Sequence, residues 1–432
     1  MIDKYYNGVI EQVVSGIGNV EHNSILVRYS NDFSIWDLES VNHYKDQSDI
    51  FFTCHEFSYN KIAEAYEPYL GLIRQMFHKY CSGTLEEFME ECDVYKLQRP
   101  VFESYFENGF CERTEQILID EVEYEQERMH SSIVTMLQKL SEICPIVIVL
   151  NRFQLASKST MQLTNRLLQT KNKNIGIVLG VNDVQSIPEF AHEEWDAICE
   201  SMDDRNMVYH IGNAGRNMEP DVMDYYSDYE SDDGYRKLNN LVYFLDFDQA
   251  DHHLSKIERR IKFDNFTISE KKHYQLLLLQ IMVSVLQRDI AKALESCEDL
   301  EKLQDQEKEG AFYYNFWMAT SYMYLGKLEE AMIYVQKAKE CGEALGDDFL
   351  VFRAELLKAQ NQMSGWCNIF FCAQDIEISD KLIEKLNAYH YKNHLAHIYI
   401  YAYDNKPEIV AEIRAKYPEL PIIATGGPWP LV

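Results

Sequence analysis

In the first half of the chain, short runs of uninterrupted apolar residues alternate with stretches in which apolar residues recur every three or four positions. Residues 144–150 (CPIVIVL) and 175–181 (IGIVLGV) are continuously apolar, as expected of strands buried on both faces. Two further segments have β character: 50–54 (IFFTC), and 13–15 ahead of the turn Gly16-Ile17-Gly18. Between them, 59–80, 84–95, 112–140 and 160–169 carry helical spacing, with Ser157 or Ser159 placed to cap the last. Doubly buried strands separated by helices predict a parallel α/β sheet.

The second half is different. Amphipathic helices are predicted over 238–261, 269–286, 290–303, 310–325, 328–345, 349–363, 379–389 and 392–403, and three prolines and two glycines within 420–432 end the pattern. One segment repeats. Residues 315–339 (NFWMATSYMYLGKLEEAMIYVQKAK) place Ala319, Tyr322, Gly326, Ala331 and Ala338 at the small, aromatic, turn and small positions of a tetratricopeptide helix pair. Small residues let two helices approach, the tyrosine fills the space between them, and the glycine permits the tight turn. A weaker copy begins at Arg288-Asp289-Ile290, and 351–363 and 394–403 are candidates for further units. This predicts an all-α, tetratricopeptide-like solenoid over 236–425, whose extended surface would dock a protein or peptide partner.

Between the two patterns, residues 219–234 (EPDVMDYYSDYESDDG) hold seven acids and no base, and 219–235 is expected to be an acidic linker separating an α/β domain over 1–218 from the helical one. The 432-residue chain has 41 Lys+Arg against 70 Asp+Glu, a net charge of −29. Through residue 234 the count is 18 bases to 41 acids, which leaves the remainder nearly balanced at 23 to 29. Such an acidic surface repels phosphate backbones and argues against direct nucleic-acid binding. No apolar run approaches the roughly 20 residues of a membrane helix, and the N-terminus lacks a secretion-signal pattern. The ten cysteines form no Cys-x-x-Cys pair, which argues against a zinc ribbon or a disulfide scaffold. A cytoplasmic protein without membrane contact is expected.

At residues 145–168 (PIVIVLNRFQLASKSTMQLTNRLL) the chain resembles the Walker B strand and following helix of the signal-transduction ATPases related to the maltose-operon activator and the large LuxR-type regulators. In that family an AAA-like, P-loop-type nucleotide domain precedes tetratricopeptide-like repeats. The resemblance extends to Asn182 at the position of a sensor residue, and to 50–56 and 66–75 as a second strand and its helix. It also places residues 13–24 (VVSGIGNVEHNS) at the phosphate loop, so that Gly16, Gly18, Asn23 and Ser24 would face a nucleotide, with Asn151 at the Walker B end. ATP with magnesium is the cofactor the family implies.

The residues depart from that chemistry. A working loop needs Gly-x-x-x-x-Gly-Lys-Ser/Thr, whose amides cradle phosphates, whose lysine reaches the terminal ones and whose hydroxyl holds magnesium. Here Ser24 supplies a hydroxyl, but Asn23 stands in the lysine position and His22 in that of glycine. At the second element, Asn151 and Arg152 follow the strand where two acids would hold metal and activate water. The expectation is a catalytically silent relic with no retained cofactor and no catalytic or metal residue, acting as a regulator or adaptor through protein contact. The alternatives are an ATP-binding switch with unorthodox residues, or a truncated transcriptional or cyclase regulator without its output domain. Arg152 offers a cation to a phosphate or to a salt bridge. His390, His394 and His397 share a helical face, His252 and His253 do not, and the acidic linker lacks the spacing of a calcium loop.

Overall fold

The structure, a computed structural model, describes residues 2–19, 23–30, 33–45, 47, 49–58, 61–95, 98–111, 122–170, 172–182, 187–203, 207–211, 226–264, 266–368, 384–386, 388–389 and 415. The chain divides into two compact units: one of Met1–Glu112 and Glu123–Ile257, the other of Arg113–Val122 and Glu258–Val432.

The first unit is built on a five-stranded parallel sheet of β1 (Ser24–Tyr29), β2 (Phe51–Glu56), β3 (Ile146–Asn151), β4 (Ile175–Asn182) and β5 (Val208–Ile211), in the order β2-β3-β4-β1-β5. β3 and β4 are buried at every position, as their continuous apolar runs predict. Helix α1 (Ile2–Gly16) turns Tyr6, Val9, Ile10 and Val13 inward at helical spacing and packs on β1, β3 and β4. Two glycines of β4 make room for it. A Cβ on Gly176 would lie 2.8 Å from Val13 Cγ1, and one on Gly180 2.4 Å from the Tyr6 hydroxyl. The expected strand over 13–15 is therefore corrected to helix. Its three apolar and small residues belong to the α1 stripe, and β1, which lies beyond it, is too short a run to stand out.

The other helices of this unit are α2 (Glu39–Tyr44), α3 (Tyr69–Tyr80), α4 (Leu85–Glu91), α5 (Arg99–Asn108), α6 (Val122–Ile143), α7 (Lys158–Gln169), α8 (His192–Asp203), α9 (Tyr226–Glu230), α10 (Asp232–Tyr243) and the first part of α11 (Phe247–Phe263). Ser157 is the N-cap of α7, accepting from the Thr160 N–H, and Thr84 and Glu87 form a reciprocal capping box on α4.

The acidic 219–235 segment is corrected in its C-terminal part, for α9 and the start of α10 are built into the first unit. Asp228 is buried and accepts from the Ile62 N–H at 2.7 Å, Tyr229 is fully buried, and Asn240 Oδ1 accepts from the Cys111 N–H at 2.9 Å. The boundary between units falls inside α11, at Ile257, rather than near residue 235. Charge patterning suggested a tether, but among the described acids Asp228 and Asp233 are ion-pair partners. Ser231 caps α10, and Lys237 meets Asp228 at 3.4 Å and Asp233 at 3.0 Å.

The second unit is mostly helical: α12 (Glu270–Leu286), α13 (Ile290–Glu301), α14 (Gly310–Tyr324), α15 (Leu328–Leu345) and α16 (Asp348–Asn368), each packed on the next. Its core gathers Leu277, Ile281, Phe312, Phe316, Ala319, Ala331, Val335 and Ala338. Tyr322 is half-buried and stacks on Tyr334 with centroids 5.6 Å apart.

One turn recurs in the chain. After α10, α12 and α14 a residue enters the left-handed region: Leu245 (φ 67°), Arg288 (φ 64°) and Gly326 (φ 72°). In each, this residue's N–H bonds three residues back (to Val242, Val285 or Met323) and the next N–H bonds five back (to Leu241, Ser284 or Tyr322). A fully buried alanine, Ala250, Ala293 or Ala331, then donates to the N-cap carbonyl of Asp246, Asp289 or Lys327. Gly346 (φ 66°) makes the same ladder between α15 and α16. Side chains cost about 1 kcal/mol or more in this conformation. Arg288→Gly is therefore expected to raise stability by about 0.5–1 kcal/mol and Gly326→Ala to lower it by about 1 kcal/mol, measured by urea denaturation. Equal effects of one sign would refute the equivalence of the turns.

Candidate functional site

In a parallel α/β sheet a ligand is received outside the carboxyl ends of the strands, where neighbouring strands send their connections in opposite directions. Here that point lies between β1 and β4. From β1 the chain crosses to β2 at one edge, and from β4 to β5 at the other. The residues at this end are Tyr29, Glu56, Asn151 and Asn182, each the last of its strand, with the segments that follow them.

Asn151 is fully buried and fully engaged. Its Oδ1 accepts from the Tyr29 hydroxyl at 2.7 Å, and its Nδ2 donates to the Phe33 carbonyl at 3.2 Å. The Phe33 ring packs edge-on against Tyr29 (4.9 Å) and Tyr6 (5.2 Å). Burial, then Tyr29, Cys54 and Glu56, push the Tyr6 phenol well above its ordinary range, so it stays protonated. Asn182 is also buried, and its N–H donates to Gln154 Oε1 at 3.2 Å.

Beside this aromatic plug lies a charged cluster. Arg152, held at φ 55°, places Nη1 2.7 Å from Glu56 Oε1. The other Glu56 oxygen accepts from the Ser34 hydroxyl at 2.9 Å and from the Ile35 N–H at 3.0 Å. Ser34 also caps the short 3₁₀ turn Ile35–Asp37, accepting from the Trp36 N–H. Of the two roles open to Arg152 in the sequence, it takes the salt bridge. On the far side of β2, His55 Nε2 sits 3.4 Å from Glu67, and burial lowers its pKa to about 4, which keeps it neutral near pH 7. The carboxylate at this sheet end, Glu56, is thus committed to protein donors and not positioned as a free base.

The residues singled out in the sequence are not brought together. Gly16 ends α1, and Gly18 (φ 95°) forms the turn after it, its N–H donating to the Lys173 carbonyl at 2.8 Å. Asn23 is buried and donates to the carbonyls of Asn172 (2.7 Å) and Ile175 (2.8 Å), and Ser24 opens β1. All four lie at the amino end of the sheet. Asn151 lies at the carboxyl end, a strand length of about 17 Å away. The segment that follows β1 towards the ligand end is SNDFSIWDL (30–38), which contains no glycine to draw attention to it. Glu56 carried no motif either, because its partners Arg152, Ser34 and Ile35 are distant in sequence.

The remaining candidates are soon placed. Burial raises the Cys54, Cys92 and Cys297 thiols to about 12, which leaves them unreactive. His253 is buried between Tyr229 and Gln249, 3.2 and 3.0 Å from their polar atoms. His390, His394, His397 and the tail 420–432 lie outside the described residues. Among the described residues, no helix is long and apolar enough to cross a membrane. No protein-family model matches the chain, and no curated protein or solved structure matches it.

Proposed function

We propose that the chain is a regulatory adaptor that works by protein contact, with the helical hairpins as its docking surface and the α/β unit as a catalytically silent relic of a nucleotide-binding domain. The observation that carries this reading is the run of helices α12 to α16, each packed on the next, with Ala319, Ala331 and Ala338 of the repeat pattern fully buried in their core. Helix pairs stacked in this way would present surface rather than chemistry. Supporting it, the α14–α15 hairpin leaves Tyr324, Leu325 and Ile333 exposed at 41, 46 and 57 %, apolar area that a partner can cover. The nearly balanced charge of this half suits such contact better than the strongly acidic first half. The resemblance to the signal-transduction ATPases adds that the two parts would act as one regulator.

The test uses the full chain in two assays. Phosphate release from ATP and magnesium is expected to stay at the level of the protein-free blank. Turnover above it that disappears with Arg152→Ala would overturn the silent reading. Affinity capture from the native cell, followed by mass spectrometry, is expected to yield a partner that the Leu325→Asp/Ile333→Asp variant loses. A partner retained undiminished by that variant would move the docking surface elsewhere.

A further inference from the structure

Three segments of the first unit converge on one carboxylate. Glu56 ends β2. Arg152 belongs to the segment after β3, and Ser34 and Ile35 to the segment after β1. A guanidinium at 2.7 Å, a hydroxyl at 2.9 Å and a main-chain N–H at 3.0 Å surround its two oxygens. A planar cation combined with a hydroxyl and an amide is the donor set with which proteins hold phosphate, sulfate and carboxylate ligands. Its place is the carboxyl end of the parallel sheet, the end at which such sheets receive ligands, over β2 and β3 beside the β1/β4 divergence, and the segment after β1 reaches across to it. The exposures of the paired side chains, 17 % for Arg152 and 9 % for Glu56, set the cluster apart from a solvated surface salt bridge. Arg152 also holds a left-handed backbone conformation, which non-glycine residues keep where the surroundings over-determine it.

We propose that Glu56 is the resident anion of this seat, an internal carboxylate that keeps the segment after β1 closed on the sheet and makes an external anion unnecessary. The sheet end is then locked permanently in the arrangement that a bound anion would otherwise have to induce. This inference rests on the silent-relic reading of the first unit and deepens it: the site has lost its need for a ligand as well as its catalytic acids. It makes no claim on the docking surface, so the capture experiment above and the experiment below fail independently.

Removing the carboxylate should leave a vacancy that small anions refill. The full-length chain and its Glu56→Ala variant are compared by thermal denaturation and by isothermal titration with sodium acetate and inorganic phosphate, with sodium chloride at matched ionic strength as the control. The wild-type midpoint is expected to show no saturable response to any of the three salts, only the gradual rise that excluded salts give any folded chain. Glu56→Ala is expected to melt lower, to recover in a saturable way with acetate or phosphate but not with chloride, and to bind the effective anion at least ten-fold more tightly than wild type. Adding Arg152→Ala should abolish the recovery. A folded Glu56→Ala chain with no saturable response, or wild type binding phosphate as tightly as the variant, would overturn the proposal. Should Glu56→Ala fail to fold, Glu56→Gln keeps the shape and removes the charge. Limited proteolysis should then cut within 30–38 at least ten-fold faster than in wild type, and an unchanged rate would equally overturn the idea.

Discussion

Arg236→Ala is expected to lower the stability of the first unit by about 3–5 kcal/mol near pH 7, the usual cost of leaving a buried charge without its partner. The guanidinium of Arg236 holds Glu64 and Asp233 (2.9 Å) and donates to the Gly109 carbonyl at 2.9 Å. Glu64 is the sensitive member, with its side chain only 11 % exposed. Burial already raises its carboxyl above the ordinary range against the pull of Arg236 and Lys237, and removing Arg236 raises it further. The folded chain then takes up a proton at a higher pH than the unfolded one, so lowering the pH through that range returns stability to the variant. Urea denaturation should therefore show a large deficit at pH 7 and a smaller one at pH 5. Adding Glu64→Gln to Arg236→Ala should recover part of the loss at pH 7. A deficit that does not change between the two pH values would refute the assignment to Glu64.

The second large effect falls on Gly234, inside the acidic segment. A Cβ there would stand 1.8 Å from the Asp228 carbonyl oxygen, which belongs to the main chain and has no rotamer by which to move aside. Gly234 also donates its N–H to the Ser231 cap at 2.8 Å. Gly234→Ala is expected to cost about 3 kcal/mol, at the upper end of overpacking penalties, and to expose the Asp228 and Tyr229 region to protease. Were the acidic run a solvated tether, the same substitution would be neutral. A circular-dichroism melting curve matching wild type would refute the packed arrangement of α9 and α10.

What could be read from the sequence followed the strength of the local pattern. β3 and β4 announce themselves because burial on both faces leaves almost only apolar positions, and their limits differ from the expected ones by one or two residues. The α14–α15 pair was legible because Gly326 and three alanines leave a pattern in residue size. β1 and β5 were not, because six and four residues with arginine, tyrosine and histidine among them give no clear period. The misplaced phosphate loop follows from the same gap. With β1 unseen, the two glycines at the end of α1 and just beyond it were the nearest turn, although they feed the opposite end of the sheet. The acidic run misled because composition registers charge but not partners: Asp228 and Asp233 meet Lys237 and Arg236 only once α10 forms. The cluster around Glu56 depends on tertiary proximity alone, and no spacing rule reaches it.

The left-handed turn after α10, α12 and α14 carries one more implication. Its ladder is made entirely of main-chain donors and acceptors, and the same geometry accommodates leucine, arginine and glycine at the strained position. The turn is therefore specified by backbone hydrogen bonds and one small buried residue, so a substitution at its left-handed position changes stability while leaving in place the bonds that close it.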